Sequence, residues 1–296
     1  MPASALAAAD DLTTEPVPPA GHRPRRVRQP LVTLTRGAGL SLGVAVLWFS
    51  LLVLLPLAAI VARAAEGGWS NYWSVVRDGQ TWAAVSLTVT QAAIVTALNI
   101  VVGTIIAWVL VRDRFWGRSL LDLVIDVPFA LPTIVAGLVL LSLYGPKSPL
   151  GVHWAFTEKA VFLAFAFVTL PFIVRTVQPV LEELDVDAEE AAASLGASRT
   201  TILRRIVLPS LVPAIAAGAA LSFARAISEY GSLVLLSGNK PYQTEVASVR
   251  MLTFIENGST ASAATVASLM LLVALVVIVL LDVFAGRGQR RVARRG

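Results

Sequence analysis

Six stretches of this chain are apolar over about the length a helix needs to cross a bilayer. That pattern excludes most architectures before any motif is weighed. A hydrocarbon core about 30 Å thick takes roughly 20 residues of helix. The runs at 39–62, 83–111, 120–144, 160–180, 210–228 and 263–285 meet that requirement. Pro171, Arg175, Gln178 and Arg225 interrupt the fourth and fifth. In lipid every backbone N–H and C=O needs an internal partner, so runs of this length are helices rather than barrel strands. The composition agrees: 56% hydrophobic and 15% charged residues, against about 25% charged in soluble domains. The expectation is an all-α, polytopic membrane protein with six transmembrane helices.

Charge placement then sets direction. Of the 24 lysines and arginines, 17 lie in the first 38 residues, at 112–118, at 175–208 and after 285. The alternate segments hold the other seven: Arg63, Arg77, Lys147, Lys159, Arg225, Lys240 and Arg250. The positive-inside rule therefore places both termini and residues 181–209 in the cytoplasm. Residues 1–38 hold six prolines and "RPRRVR", too polar to bury a core, and are expected to form a disordered cytoplasmic tail. The first apolar run begins near Leu40, too late for a signal peptide. Residues 286–296, "RGQRRVARRG" from Arg287, form a basic tail beside the last span and suit anionic membrane lipid better than nucleic acid. The transmembrane domain is expected over 39–285.

No enzyme chemistry is legible. The chain has no cysteine, hence no disulfide or thiolate metal site. His22 and His153 lie far apart in expected loops, and no histidine falls within a span to serve as a base. "GPKS" (145–148) and "SGNK" (237–240) lack the glycine spacing of a phosphate-binding loop. No catalytic or metal-binding residues are expected, and no bound cofactor.

One polar segment stands out among the apolar blocks: "EEAAASLGASRTTILRRIVLP", 189–209. Acids crowd its front and Arg199, Arg204 and Arg205 its rear, a polarity that complements the helix dipole. Alanines at 191–193 favour helix. Gly196 can turn the chain, Ser198 can cap a second short helix, and Pro209 is expected to end it as the next span begins. Taken alone, these features fit a solvated loop with helical propensity as well as a docking device. Its spacing, however, is Glu190-Ala191-Ala192, three residues, Gly196, nine residues, Ile206, one residue, Leu208-Pro209. That resembles the EAA loop of binding-protein-dependent ABC transporter permeases.

The resemblance extends over roughly 80–285. "AWVLVRDRFWGRSLLDLVIDVPFALPTIVAG" (107–137), "PFIVRTVQPVLEEL" (171–184), "ALSFARAISEYGSLVLLSGN" (220–239) and "TEVASV" (244–249) look like the sulfate/thiosulfate branch, CysT-type. Trp116 stands where similar proteins commonly carry proline. The resemblance implies a MetI-like permease fold in a bacterial inner membrane. It also implies a homologous CysW-type permease, an ABC ATPase dimer that binds the ATP and Mg, and a periplasmic sulfate-binding protein. It makes 181–209 the ATPase-coupling segment, with Glu190, Ala191, Ala192, Gly196, Leu208 and Pro209 as coupling residues. A molybdate or tungstate permease is the rival within the class, and an ion-gradient-driven carrier the rival outside it. A carrier is expected to show inverted repeats and mid-membrane carboxylates, which are not evident.

Within the spans, Arg175 and Arg225 are candidates for the translocation path, because intramembrane charge usually faces a cavity or a partner. Local alternatives stand beside that reading: Arg225 precedes Glu229 by four residues, and Arg175 can snorkel to the surface. Ser222 and Ser228 could add weak polar contacts. Ala214, Gly218, Ser222 and Ala226 form a small-residue stripe suited to close helix packing. Thr88, Ala92, Thr96, Asn99 and Gly103 share one face that could line water or bond a neighbouring helix. Pro128 and Pro132 should kink the third span. Asp122 and Asp126 are expected to pair with Arg114 or Arg118.

Overall fold

Leu131 and Pro132 break what the hydropathy marks as one span. The computed structural model describes residues 36–293, with side chains over 38–283. The expectation for residues 1–35 lies outside them, as do the side chains of the basic C-terminal arginines. Among the described residues every regular element is helical. Of the described residues, those up to Leu52 belong to one compact unit and those from Val53 to another. The first unit holds α1 (Arg36–Phe49) and the start of a π-helical turn, Ser50–Leu54, its apolar side chains almost all exposed as a lipid-facing helix requires.

The second unit runs through α2 (Leu55–Glu66), α3 (Gly68–Arg77) and α4 (Gly79–Arg112). It continues with α5 (Arg118–Ala130), α6 (Thr133–Tyr144) and α7 (Glu158–Glu182). Next come α8 (Val186–Ser194), α9 (Arg199–Ile202), a second π turn at Leu203–Val207, and α10 (Leu208–Ile227). Last are α11 (Gly231–Leu236), α12 (Ala247–Glu256) and α13 (Thr260–Ala293). Among the described residues five helical runs are long and apolar enough to cross a membrane, and the pair α5–α6 makes a sixth if its halves cross together. The last helix continues through Ala293, beyond the expected end of its span.

The break between α5 and α6 is larger than the expected kink. The two half-helices are bent by 116°. Pro128 stays inside α5, whereas Leu131 (ψ 133°) and Pro132 (ψ 135°) are both extended. The cause is steric: the Pro132 ring disfavours helical geometry at the residue before it. Pro209 behaves in the opposite way. It does not end the preceding helix, because 199–227 is one helical run. The Leu208 N–H reaches back to the Leu203 carbonyl, the wider π spacing, and Pro209 then occupies the first turn of α10, where a missing N–H costs nothing.

Two apolar clusters hold this unit together. One joins Val85, Ala92 and Val95 of α4 to Ala160–Phe165 of α7 and to α11, α12 and α13. The other joins Ala107 and Leu110 at the far end of α4 to Ile173–Leu181 of α7, Ile125 of α5 and Val207–Ala219. The stripe Ala214, Gly218, Ser222, Ala226 is buried throughout, and a Cβ on Gly218 would lie 3.2 Å from the Ile173 Cα. It is a packing seam. The face Thr88, Ala92, Thr96, Asn99, Gly103 is buried too: Asn99 Nδ2 donates to Thr169 Oγ1 at 2.9 Å, and Thr88 Oγ1 accepts from the Ala247 N–H at 2.9 Å. Of its two readings, the bonded helix contact is the one observed.

Candidate functional site

The polar segment between α7 and α10 folds into a helix–turn–helix elbow, and its sequence dictates how. Asp185 caps α8, its carboxylate accepting from the Asp187 N–H at 2.9 Å. At the other end the Gly196 N–H donates to the Ala193 carbonyl at 2.9 Å and the Ala197 N–H to Ala192 at 3.0 Å. That pair of bonds is a Schellman motif, which needs a left-handed residue between them. Gly196 supplies it at φ 84°. Apart from its own chain neighbours, no atom of the described residues lies within 4 Å of where a Cβ on Gly196 would sit, so backbone conformation, not crowding, demands glycine. Ser198 then caps α9, accepting from the Thr201 N–H at 3.3 Å.

The elbow is presented rather than packed. Glu190, Ala191 and Gly196 are exposed, Ala192 and Pro209 half-buried, and Leu208 exposed at the start of α10. α8 has no fully buried residue. Leu195, next to the turn, is 90% exposed. Sequence reasoning missed it, although an apolar side chain beside the turn glycine was the signal. Beneath the elbow lies a cavity of about 340 Å³, lined by Trp108, Glu189, Arg199, Ile202, Leu203 and Val207 among others.

The four candidate path residues are not gathered into one site. Arg175 belongs to an α5–α7 network in which each of its three guanidinium nitrogens has an acceptor. Nε donates to Asp126 Oδ1 at 2.8 Å, and Nη1 to Asp122 Oδ1 and Gln178 Oε1, both at 2.7 Å. Nη2 donates to the Asp122 carbonyl at 3.0 Å and lies 2.7 Å from Asp126 Oδ2. Asp122 and Asp126 therefore pair with Arg175 and not, as expected, with Arg114 or Arg118. The ring edge of Phe129 against Phe172, centroids 5.0 Å apart, extends this contact.

Arg225 sits near the end of α10 with Nη1 2.6 Å from Glu229 Oε2. The Glu229 side chain is fully buried, and its Oε1 also accepts from the Ser232 N–H and hydroxyl, each at 2.9 Å. Ser228 is exposed and donates to the Arg225 carbonyl. Ser222 is fully buried, its hydroxyl without a hydrogen-bond partner among the described residues.

At the opposite end of α4, Asp78 caps the helix, accepting from the Thr81 N–H and hydroxyl and from Arg250 Nη2. Burial pushes its carboxyl up, but the Thr81 bonds and the Arg250 guanidinium outweigh burial and hold it below the usual range.

A helical membrane bundle that exposes such an elbow has the fold of an ABC importer permease. It superposes with TM-score 0.70 on a bacterial ABC transporter involved in import of the acidic polysaccharide alginate, at 15% identity over 84% of this chain and 94% of that one. It also matches the MetNI methionine ABC transporter, TM-score 0.53 at 17% identity, over 74% of this chain and 96% of that one.

The chain belongs to the family of binding-protein-dependent transport system inner membrane components, matched over residues 99–294, and within it to the CysT-type branch. It is 41% identical to the sulfate transport system permease protein CysT of Salmonella typhimurium, over 86% of this chain and 95% of that protein. With CysT of Synechocystis it shares 38% identity over 83% of this chain and 89% of that protein.

Proposed function

We propose that this chain is the permease subunit of an ATP-driven importer of sulfate or thiosulfate. The observation that carries the proposal is the 41% identity to a sulfate-system permease across 86% of the chain, elbow included. In this reading both termini and the elbow face the cytoplasm and a loaded sulfate-binding protein docks outside. A homologous CysW-type permease completes the channel. ATP and Mg are held by a separate ATPase dimer, which grips Glu190, Ala191, Ala192 and Gly196. Leu208 and Pro209 join that grip to α10. ATP-driven closure of the dimer pushes the elbow and swings the spans to alternate access.

The path must bind its cargo weakly, because a divalent anion held by free guanidinium groups would not be released. Every Arg175 guanidinium nitrogen is already engaged by Asp122, Asp126 or Gln178, so its path role is indirect and runs through the position of α5. Arg225 shares its charge with Glu229, which leaves a softened positive site beside the Ser228 hydroxyl. Ser222 joins the path only when α10 moves away from its neighbours. The test is uptake into proteoliposomes holding the assembled complex and supplied with the binding protein. Labelled sulfate enters and unlabelled thiosulfate competes. Entry of molybdate in place of sulfate overturns the substrate assignment.

A further inference from the structure

α8 and α9 carry no fully buried side chain, yet work applied to them must reach the spans. α9 runs on into α10, and among the described residues one polar tie joins α8 to α4. Arg112, the last residue of α4, places its guanidinium 5.6 Å from the centroid of the Trp108 ring one turn back. Its Nη2 donates to Glu189 Oε1 in α8, 77 positions away in sequence. The two side chains are 22% and 19% exposed, so the pair is largely withdrawn from water. Each charge also suits its helix end, a cation at the C-terminus of α4 and an anion in the first turn of α8. The buried Arg112 Nε–H has no partner among the described residues, so the pair is a single-armed link, unlike the several bonds of Arg175. Beside it, the 340 Å³ cavity leaves space between Trp108 and the elbow.

We propose that Arg112 and Glu189 form a strut through which displacement of the elbow is delivered to α4. A tight apolar contact would resist rotation, whereas an ionic tie over an under-packed cavity transmits push and pull while the angle between helices changes. From Arg112 the displacement passes along α4, which is fastened to α7 by the Asn99–Thr169 bond. Arg112 and Glu189 are thus positioning residues. The inference rests on the reading that 186–208 receives the ATPase's motion.

The test uses the assembled complex in proteoliposomes, with ATP hydrolysis and labelled sulfate uptake measured on the same vesicles. Arg112→Gln and Glu189→Gln are expected to co-purify with the ATPase and to keep hydrolysing ATP. Sulfate moved per ATP should fall about ten-fold or more, within the usual range of coupling between linked sites. The exchange R112E/E189R should restore most of that ratio, a recovery that general destabilisation would not give. Where Arg112→Gln does not accumulate in the membrane, Arg112→Lys, which keeps the charge without the guanidinium over Trp108, should show an intermediate ratio. A wild-type ratio in both single variants, an exchange no better than the singles, or loss of the ATPase from the singles overturns the strut. Failure of the underlying coupling reading has a separate signature: Gly196→Val would then retain both the ATPase and full uptake.

Discussion

Substitution at Gly196 separates two reasons for a glycine at the elbow's corner. The residue sits at φ 84° with open space where a side chain would go. An L-residue with a Cβ pays roughly 1–2 kcal/mol to occupy the left-handed region. That is a factor of about 5–30 in the population of the ordered elbow. Asparagine visits this region more readily than alanine although it is larger. If backbone conformation is what matters, ATPase affinity should therefore fall in the order Gly, Asn, Ala, Val. If crowding by the docked ATPase is what matters, the order follows side-chain size and alanine outperforms asparagine. Titrating purified ATPase against each variant in nanodiscs distinguishes the two. Alanine binding as tightly as glycine, with asparagine weaker, would refute the conformational reasoning.

Three further outcomes are expected. Gly137→Ala would put a Cβ 2.7 Å from the Ser232 carbonyl oxygen and 2.8 Å from its Cα, so overpacking should cost about 1–3 kcal/mol. A lower Tm in detergent checks this, and an unchanged Tm contradicts it. Arg175→Lys replaces five donors with three and should loosen α5 from α7 by on the order of 2 kcal/mol; a lysine variant as heat-stable as wild type would contradict the network. Asp78 has a lowered folded pKa, so its contribution is present above the unfolded carboxylate value and lost as pH falls through the folded one. The Tm gap between wild type and Asp78→Asn should therefore be constant near neutrality and close below roughly pH 4. A gap that widens on acidification would refute the assignment.

The parts legible in the sequence were those governed by local physics. Apolar run lengths located the spans, and the elbow's corner and second cap followed from Gly196 and Ser198, whose roles depend on neighbours within a few residues. The kink at Pro132 was readable, but its 116° extent was not, because it depends on two consecutive extended residues. Pro209 misled for a related reason: a π turn absorbs the missing N–H, and nothing in composition announces one. Long-range pairing was hidden as well. Asp122 has arginines nearby in sequence, yet its partner is Arg175, 53 positions away. The tie between Arg112 and Glu189 was invisible in the same way, since spacing along a chain carries no information about which helix ends meet.

Coupling is tested most directly by following labelled sulfate into vesicles holding the complete complex, with ATP supplied to either the native ATPase or a variant unable to hydrolyse it. Accumulation should occur with the native enzyme alone and stop when ATP is withheld. Accumulation with the inactive ATPase, driven by an ion gradient, would contradict the account.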